Sequence, residues 1–476
     1  MPSPLQPSLP RSTPASQGLA AAGVEAFLDA VDASPGVELH GLVVLRHGHV
    51  VAEGWWHPYS PDRVHLLYSL SKSFTSAAAG FAVAEGLLDM DSTVLSYFPE
   101  LDAQVTDPRS RAMRVRDVAA MASGHLEDTV DLALPAAEPV LAFLQLPPER
   151  DPGTHFTYNQ PCTYTLASIV QRLTGTTVSQ YLRPRLFDPL GITPGGWYER
   201  PAGRQLGFSG FHLTTDAVAR FGQCLLDDGR AAGRQVLPEG WVAQASRVHV
   251  PTVDSAGEAV VGADGGDWAL GYGWQFWRCR HGFRGDGAYG QFCVVVPEAD
   301  LVLATTGAAD DMQAVLDALW THVLPALADR PLPATDADDR LAARLATLGL
   351  APVPGDATAP DGARLGLADT TGLRGVTGAV LRADGGAWVL DLTTWDGSLT
   401  AAAGAGAWVV TEPDDGTAAV AVSAGAPAPG RVVAEVALLE TPHRLRLEGD
   451  VAAGTLTASW HTEPLHGVGL ASMAPR

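Results

Sequence analysis

Before residue 329, strand-forming runs occur in two groups, and the stretch between them reads as helix and loop. The first group is HGLVVLRHGHVVAEGWW, in which LVVLR and VVAEGWW flank the turn His47-Gly48-His49 as a β-hairpin. The second comprises strand signals at 269–279, Gln291–Val296 and 301–306, followed by a helix over 311–327. An amphipathic helix over 18–33 precedes the hairpin, and helical patterns occupy 69–86, 115–123, 161–174, 177–186, 215–228 and 238–247. The order is therefore strand hairpin, long helical middle, strands, final helix. Residues 329–365 are rich in Pro, Ala and Asp, contain one short helical piece at 338–348, and read as a linker. Residues 366–476 alternate short apolar runs such as AWVLDLTTW and HRLRLEG with Gly- and Asp-rich turns, the pattern of a small all-β domain.

Composition narrows the function classes. The 476 residues carry 46% hydrophobic side chains, which excludes a disordered chain and suits two or three domains. A net charge of −22 repels phosphate backbones, so neither nucleic acid nor an anionic membrane is expected as a partner. MPSPLQPSLPRSTPASQG lacks a basic segment followed by an apolar one, and the longest apolar runs are broken by Pro and acids. Cys162, Cys224, Cys279 and Cys293 are widely spaced with no CxxC pair, which fits reduced thiols in a cytoplasmic protein. His47 and His49 flank a turn glycine and are expected to be solvated rather than metal-binding.

One compositional feature is sharper. Lys72 is the only lysine among 31 basic residues, and Asn159 is the only asparagine. A drift towards GC-rich codons explains the depletion but not the two positions that remain.

Three clusters carry potential chemistry. In Tyr68-Ser69-Leu70-Ser71-Lys72, Ser69 opens a helix and Lys72 lies one turn later on the same face. A hydroxyl needs a base before it is a good nucleophile, and a desolvated lysine beside a helix N-terminus has a lowered pKa and can be that base. The plainer alternative is a Ser cap with a solvated Lys. In Phe156-Thr157-Tyr158-Asn159-Gln160-Pro161, a tyrosine held near a lysine cation would ionise more easily and act as general base or acid. The two amides of Asn159 and Gln160 could hold a polar substrate group or the lysine; the alternative is an ordinary turn with Tyr158 packed. Arg284-Gly285-Asp286-Gly287-Ala288-Tyr289-Gly290 contains G-x-G-x-x-G but leads into a strand, so it is not a dinucleotide fingerprint. Glycines there let the backbone approach a bound group, and a free N–H can complete an oxyanion hole; the alternative is a hairpin turn without ligand. No G-x-S-x-G, H-E-x-x-H or P-loop is present.

RSTPASQGL, VVLRHGHVVAEGWW, LYSLSKSFTS, VRDVAAMASGH, PGTHFTYNQPCTY, RLFDPLGI and FWRCRHGFRGDGAYGQF occur in the order and spacing of the serine β-lactamase and DD-peptidase superfamily. From about Arg11 to Leu327 the chain resembles the class C-like branch, which also holds esterases and 6-aminohexanoate-dimer hydrolase. The resemblance implies an α+β fold: an antiparallel sheet flanked by helices with an inserted helical subdomain. With the C-terminal part added, the expected division is a hydrolase domain 1–328, a linker 329–365 and a β-rich domain 366–476. It implies Ser69 as the acyl-accepting nucleophile, Lys72 as its base and Tyr158 as the proton relay of the family's Y-x-N. The backbone N–H groups of Ser69 and Ala288 match the oxyanion hole. Two departures bear on substrate. Gln160 stands where the family has Asn, and Gly285-Asp286-Gly287 stands where true β-lactamases have K-T-G. Asn159, Gln160, Arg284, Asp286 and Gly287 are expected to contact substrate, Arg284 by binding an anion or Asp286 by preferring a cation. The expected activity is ester or small-amide hydrolysis, without metal or organic cofactor. The alternatives are DD-peptidase or β-lactamase activity, or a catalytically quiet binding scaffold.

Overall fold

The computed structural model of the chain describes residues 9–253, 265–355, 358–466 and 469–475. Residues 1–8, part of the opening segment read above, lie outside them. Two compact units form: Met1–Val37, Leu42–Glu53 and Leu67–Ala343 make the first, and Glu38–Gly41, Gly54–Leu66 and Arg344–Arg476 the second.

A six-stranded sheet is built from β1 (Leu39–Arg46), β2 (His49–Trp55), β3 (Trp277–Cys279), β4 (Gly282–Gly287), β5 (Gln291–Val296) and β6 (Leu301–Gly307). Its spatial order is β2-β1-β6-β5-β4-β3, so the opening hairpin joins the last strand of the sheet. The helical middle is an insertion between β2 and β3. The β3–β4, β4–β5 and β5–β6 pairs are antiparallel. Every residue of β5 and β6 is buried, which explains why QFCVVV and LVLATTG read as apolar runs rather than strict alternation.

Helix α1 (Ala21–Ala33) buries Val24, Phe27, Leu28 and Val31, one helical stripe. Helix α2 (Ser71–Ala84) is buried from Ser71 to Ala82, so its Ala and Gly residues serve close packing; a Cβ on Gly80 would stand 2.6 Å from the Trp241 indole. Helix α3 (Gln160–Thr174) has Pro161 in its first turn and ends at Gly175, whose φ of 67° suits only a residue without a Cβ penalty. Helix α4 (Thr215–Leu226) is capped by Thr214, whose Oγ1 accepts from Ala217 N at 3.1 Å. It lies so close to β5 and β6 that a Cβ on Gly222 would meet Val302 at 2.6 Å and Cys293 at 3.0 Å.

The strand expected over 269–279 is confined to Trp277–Cys279. Gly265, Gly266 and Gly271 take φ of 76°, 54° and 100°, which breaks the extended run into a turn at Gly266–Leu270. Conversely, GFRGDG is itself strand β4, with Gly285 opposite Cys293, Asp286 opposite Phe292 and Gly287 opposite Gln291. Its glycines hide it from propensity. The final helix runs over Met312–Ala318, widens into a π turn over Leu319–Val323 and ends in a 3-10 turn at Leu324–Ala326, where Pro325 has no N–H to donate.

In the second unit nine strands form one sheet: β7 (Arg364–Leu367), β8 (Val376–Asp384), β9 (Ala387–Thr394), β10 (Gly397–Ala405), β11 (Val409–Thr411), β12 (Val420–Gly425), β13 (Arg431–Leu438), β14 (Arg444–Asp450) and β15 (Thr455–Thr462). The order is β10-β9-β8-β7-β15-β14-β13-β12-β11, and a further β10–β12 pairing closes it into a barrel. Trp388, Leu390 and Leu392 alternate along β9 into a core shared with Leu381, Val422 and Leu447. This unit differs from the expected 366–476 in two ways. The compact units divide inside the helix Asp336–Leu345, and two early segments belong to the later unit. Arg444 donates to Glu38 at 2.8 Å across 406 positions, Arg63 donates to Glu440 at 2.5 Å, and His57 N donates to Leu348 O at 3.1 Å. Partners so remote leave no mark on local composition.

Candidate active site

Ser69 sits in a single 3-10 turn, Tyr68–Leu70, immediately before α2. Tyr68 takes φ of 47°, a left-handed conformation that costs a non-glycine residue and turns the next side chain outward. The turn is held because Ser71 Oγ donates to Tyr68 O at 2.6 Å while accepting from Phe211 N at 3.1 Å. Ser69 itself is half-buried, flanked by the buried Tyr68 and Leu70.

Lys72 is 1% exposed. Its Nζ donates to Ser69 Oγ at 2.8 Å, Gln160 Oε1 at 2.7 Å and Phe208 O at 2.9 Å, and lies 4.7 Å from the centre of the Tyr158 ring. Burial pushes the lysine down to about 7, against the opposing pull of Asp128 and Asp286. The three partners decide what deprotonation does. Gln160 Oε1 and Phe208 O can only accept, so the two remaining N–H bonds stay on them and the lone pair faces Ser69. The solvated-lysine alternative is therefore excluded.

Tyr158 stands at the same centre, sharing a hydrogen bond with Ser69. Burial, followed by the charge of Asp286, pushes its phenol above the usual range, so the expectation of an easily ionised tyrosine is reversed. Tyr158 is a neutral O–H at ordinary pH.

The other expected residues divide. Gln160 faces the lysine, and its backbone N donates to Asp128 Oδ1 at 3.0 Å. Asn159 faces away: it is 0% exposed, and its Oδ1 accepts from Thr129 N and Thr129 Oγ1 at 3.0 Å each. Its expected contact with substrate gives way to bracing the 123–129 loop, which the sole asparagine also does through Ser123 Oγ at 3.4 Å. Arg284 is likewise unavailable. It is 0% exposed, pairs with Asp286 at 3.0 Å, and donates to Arg278 O at 3.0 Å and Asp267 O at 3.3 Å. Asp286 is 6% exposed and is neutralised by that guanidinium, so neither expected charge preference, anion on Arg284 or cation on Asp286, is served by a free side chain.

Gly287 acts by what it lacks. A Cβ there would stand 2.0 Å from Leu67 O and 3.1 Å from Leu70 N, so β4 lies directly against the turn that carries Ser69. Ala288 follows at the end of β4, with its carbonyl accepting from Gln291 Nε2 at 3.0 Å. Asp128, Phe208 and Trp277 at this centre were not anticipated. Phe208 contributes a backbone carbonyl, for which a sequence carries no signal. His47 and His49 engage Gln17 Oε1 at 3.3 Å and a backbone carbonyl at 2.8 Å. Among the described residues no group of three or more His, Cys, Asp or Glu is arranged to hold a metal, and the four cysteines are buried free thiols.

The chain matches the Beta-lactamase family over residues 24–306 and belongs to it. It is 32% identical over 224 residues to 6-aminohexanoate-dimer hydrolase of Paenarthrobacter ureafaciens, covering 42% of this chain and 55% of that one. It is 30% identical over 165 residues to lovastatin esterase of Penicillium rubens, covering 30% of this chain and 41% of that one. The match thus spans about half the length of these curated relatives or less. The crystal structure of a penicillin-binding protein homologue from Caulobacter crescentus superposes with a TM-score of 0.51 at 18% identity, over 67% of this chain and 100% of that one, which shows the common fold. Among the described residues no helix is long and apolar enough to cross a membrane.

Proposed function

We propose that this protein is a serine hydrolase that cleaves uncharged esters or small amides through an acyl-enzyme on Ser69. The observation that carries the reading is the lysine's partner set, which among the described residues turns its lone pair to the Ser69 hydroxyl. Neutral Lys72 takes the Ser69 proton as Oγ bonds to the substrate carbonyl carbon. The oxyanion forms against the N–H groups of Ser69 and Ala288. Tyr158 passes its proton to the leaving group as the C–O or C–N bond breaks, and recovers one from Lys72. Water then adds to the acyl carbon by the same relay in reverse and frees Ser69. No step calls for a metal or organic cofactor. The residues given roles in these steps all lie in the first unit.

Substrate class follows from the corner where β-lactamases carry the lysine of K-T-G. Here the guanidinium is fully buried, paired with Asp286 and bonded to two carbonyls, with only Nη2 unpartnered among the described residues. A substrate carboxylate would therefore be desolvated beside Asp286 without an exposed cation to meet it. Esters and amides without a carboxylate are favoured; β-lactams and D-Ala-D-Ala peptides, which carry one, are disfavoured. The test is intact mass after a fluorophosphonate probe, together with turnover of p-nitrophenyl butyrate and nitrocefin. One adduct on Ser69 and faster turnover of the butyrate are expected. Absence of an adduct would restore the quiet-scaffold reading, and faster nitrocefin turnover would move β-lactamase ahead.

The pH dependence has a definite sign. Lys72 is active when neutral and titrates at about 7, so kcat/KM for a neutral ester should fall about tenfold per unit below that pH and level off above it. A profile flat from pH 5 to 8 would remove Lys72 as the base.

A further inference from the structure

Tyr158 lies in an irregular stretch just before α3, where no helix or strand hydrogen bonds hold its backbone in place. Its ring is positioned by packing and by side-chain hydrogen bonds to Ser69 and Trp277 instead. The Trp277 indole stacks on it at 5.4 Å between centroids and 28° between planes. Tyr272 meets both rings edge-on, Tyr158 at 6.2 Å and 86° and Trp277 at 4.7 Å and 81°. Phe156 closes the cluster at 5.3 Å from Tyr272 and from Trp277.

The stack does not end at the indole. Trp277 is paired with Arg284 in the β3–β4 register, and the Arg284 guanidinium lies 5.9 Å from the Trp277 ring and 4.4 Å from the Trp268 ring. That guanidinium is fixed by Asp286 and two carbonyls, as described above. A rigid buried cation thus backs the indole, and the indole backs the phenol. The same strand β4 that carries Arg284 and Asp286 ends at Gly287 against the Ser69 turn. Nucleophile and proton donor are therefore indexed to one strand.

We propose that Trp277 is the positioning residue for Tyr158, and that the buried Arg284–Asp286 pair serves as the anchor of this stack. The inference rests on the proton-relay role given to Tyr158 in the proposed function. Trp277 meets no substrate atom in that scheme; by stacking on the ring and hydrogen-bonding the phenol it sets the direction of the Tyr158 O–H towards Ser69 and the leaving group.

The test is a double-mutant cycle on p-nitrophenyl butyrate with Trp277→Leu and Tyr158→Phe, each variant checked for native circular dichroism. Trp277→Leu is expected to lower kcat about tenfold or more with KM changed less than about twofold, because displacement of a catalytic group by about 1 Å can cost 10² in rate. In the Tyr158→Phe background the same substitution should change kcat less than about twofold. Trp277→Phe, which keeps a flat ring on the phenol, should recover most of the activity. Equal losses in both backgrounds would mean that Trp277 only supports the fold, and would overturn the proposal. So would an unchanged kcat for Trp277→Leu. If Trp277→Leu does not fold, Trp277→Met, which is unbranched and adapts to the space the indole leaves, takes its place in the same cycle. A Tyr158→Phe enzyme with normal kcat overturns the relay itself, a separate result that the cycle reads directly.

Discussion

Ser69→Ala is expected to leave no measurable turnover of p-nitrophenyl butyrate in a folded protein, and Lys72→Ala to lose on the order of 10²–10⁴ in kcat. The two residues act as one unit, because the lysine's two other hydrogen bonds go to acceptors that cannot give a proton back. Removing both should therefore cost little more than removing one. Lys72→Arg should fail as fully as Lys72→Ala: guanidinium stays protonated at any working pH, and burial that brings a lysine down to about 7 cannot make it a base. Steady-state kinetics on the four proteins, with circular dichroism as the fold check, decides the matter. A Lys72→Ala enzyme retaining more than about a tenth of normal kcat would sink the assignment.

Gly287→Ala is the second substitution with a large expected effect, although it changes no chemical group. The new Cβ would stand 2.0 Å from Leu67 O, a backbone atom in the segment leading into the Ser69 turn, and no rotamer can relieve that contact. Strand and turn must separate, which spreads the two N–H donors of Ser69 and Ala288. Loss of one oxyanion donor costs about 10²–10³ in kcat, and a fall of that order is expected here. Gly285→Ala is the control on the same strand. Its Cβ would meet Ser73 Oγ at 2.4 Å and Leu70 Cδ1 at 2.5 Å, side-chain ends that can rotate, so the loss should be several-fold smaller. Equal kcat values for Gly287→Ala and the unaltered enzyme would show that β4 does not set the oxyanion geometry.

Elements whose periodicity is local were legible. The hairpin of β1 and β2, the stripe of α1, and the runs of β5 and β6 follow from apolar spacing. Strand β4 was not legible, because its three Gly residues carry low strand propensity, Gly287 and Gly285 being there for the approach to Leu67 and Ser73. The extent of the second unit was equally hidden, since Glu38 and Arg63 find Arg444 and Glu440 in a distant part of the chain.

The site divides in the same way. Ser69 and Lys72 were determined by sequence alone, because a spacing of three places both on one face of a helical turn whatever surrounds it. Tyr158, Asn159 and Gln160 are consecutive, and only the tertiary structure decided that Tyr158 and Gln160 meet the lysine while Asn159 turns to Thr129. Local pattern cannot separate such neighbours, since Tyr158 and Asn159 lie in the irregular stretch before α3, where no periodicity fixes side-chain direction, and the partners that select each direction come from other elements. The same holds for charge. Arg284 and Asp286 read as substrate contacts because the resemblance puts them at the K-T-G position beside the cleft; burial, the close β3–β4 pairing and the Trp268 and Trp277 rings turn them towards each other instead. Residue identity and short spacing set which chemistry is available, and long-range packing sets which of those groups is desolvated, paired or left facing the substrate.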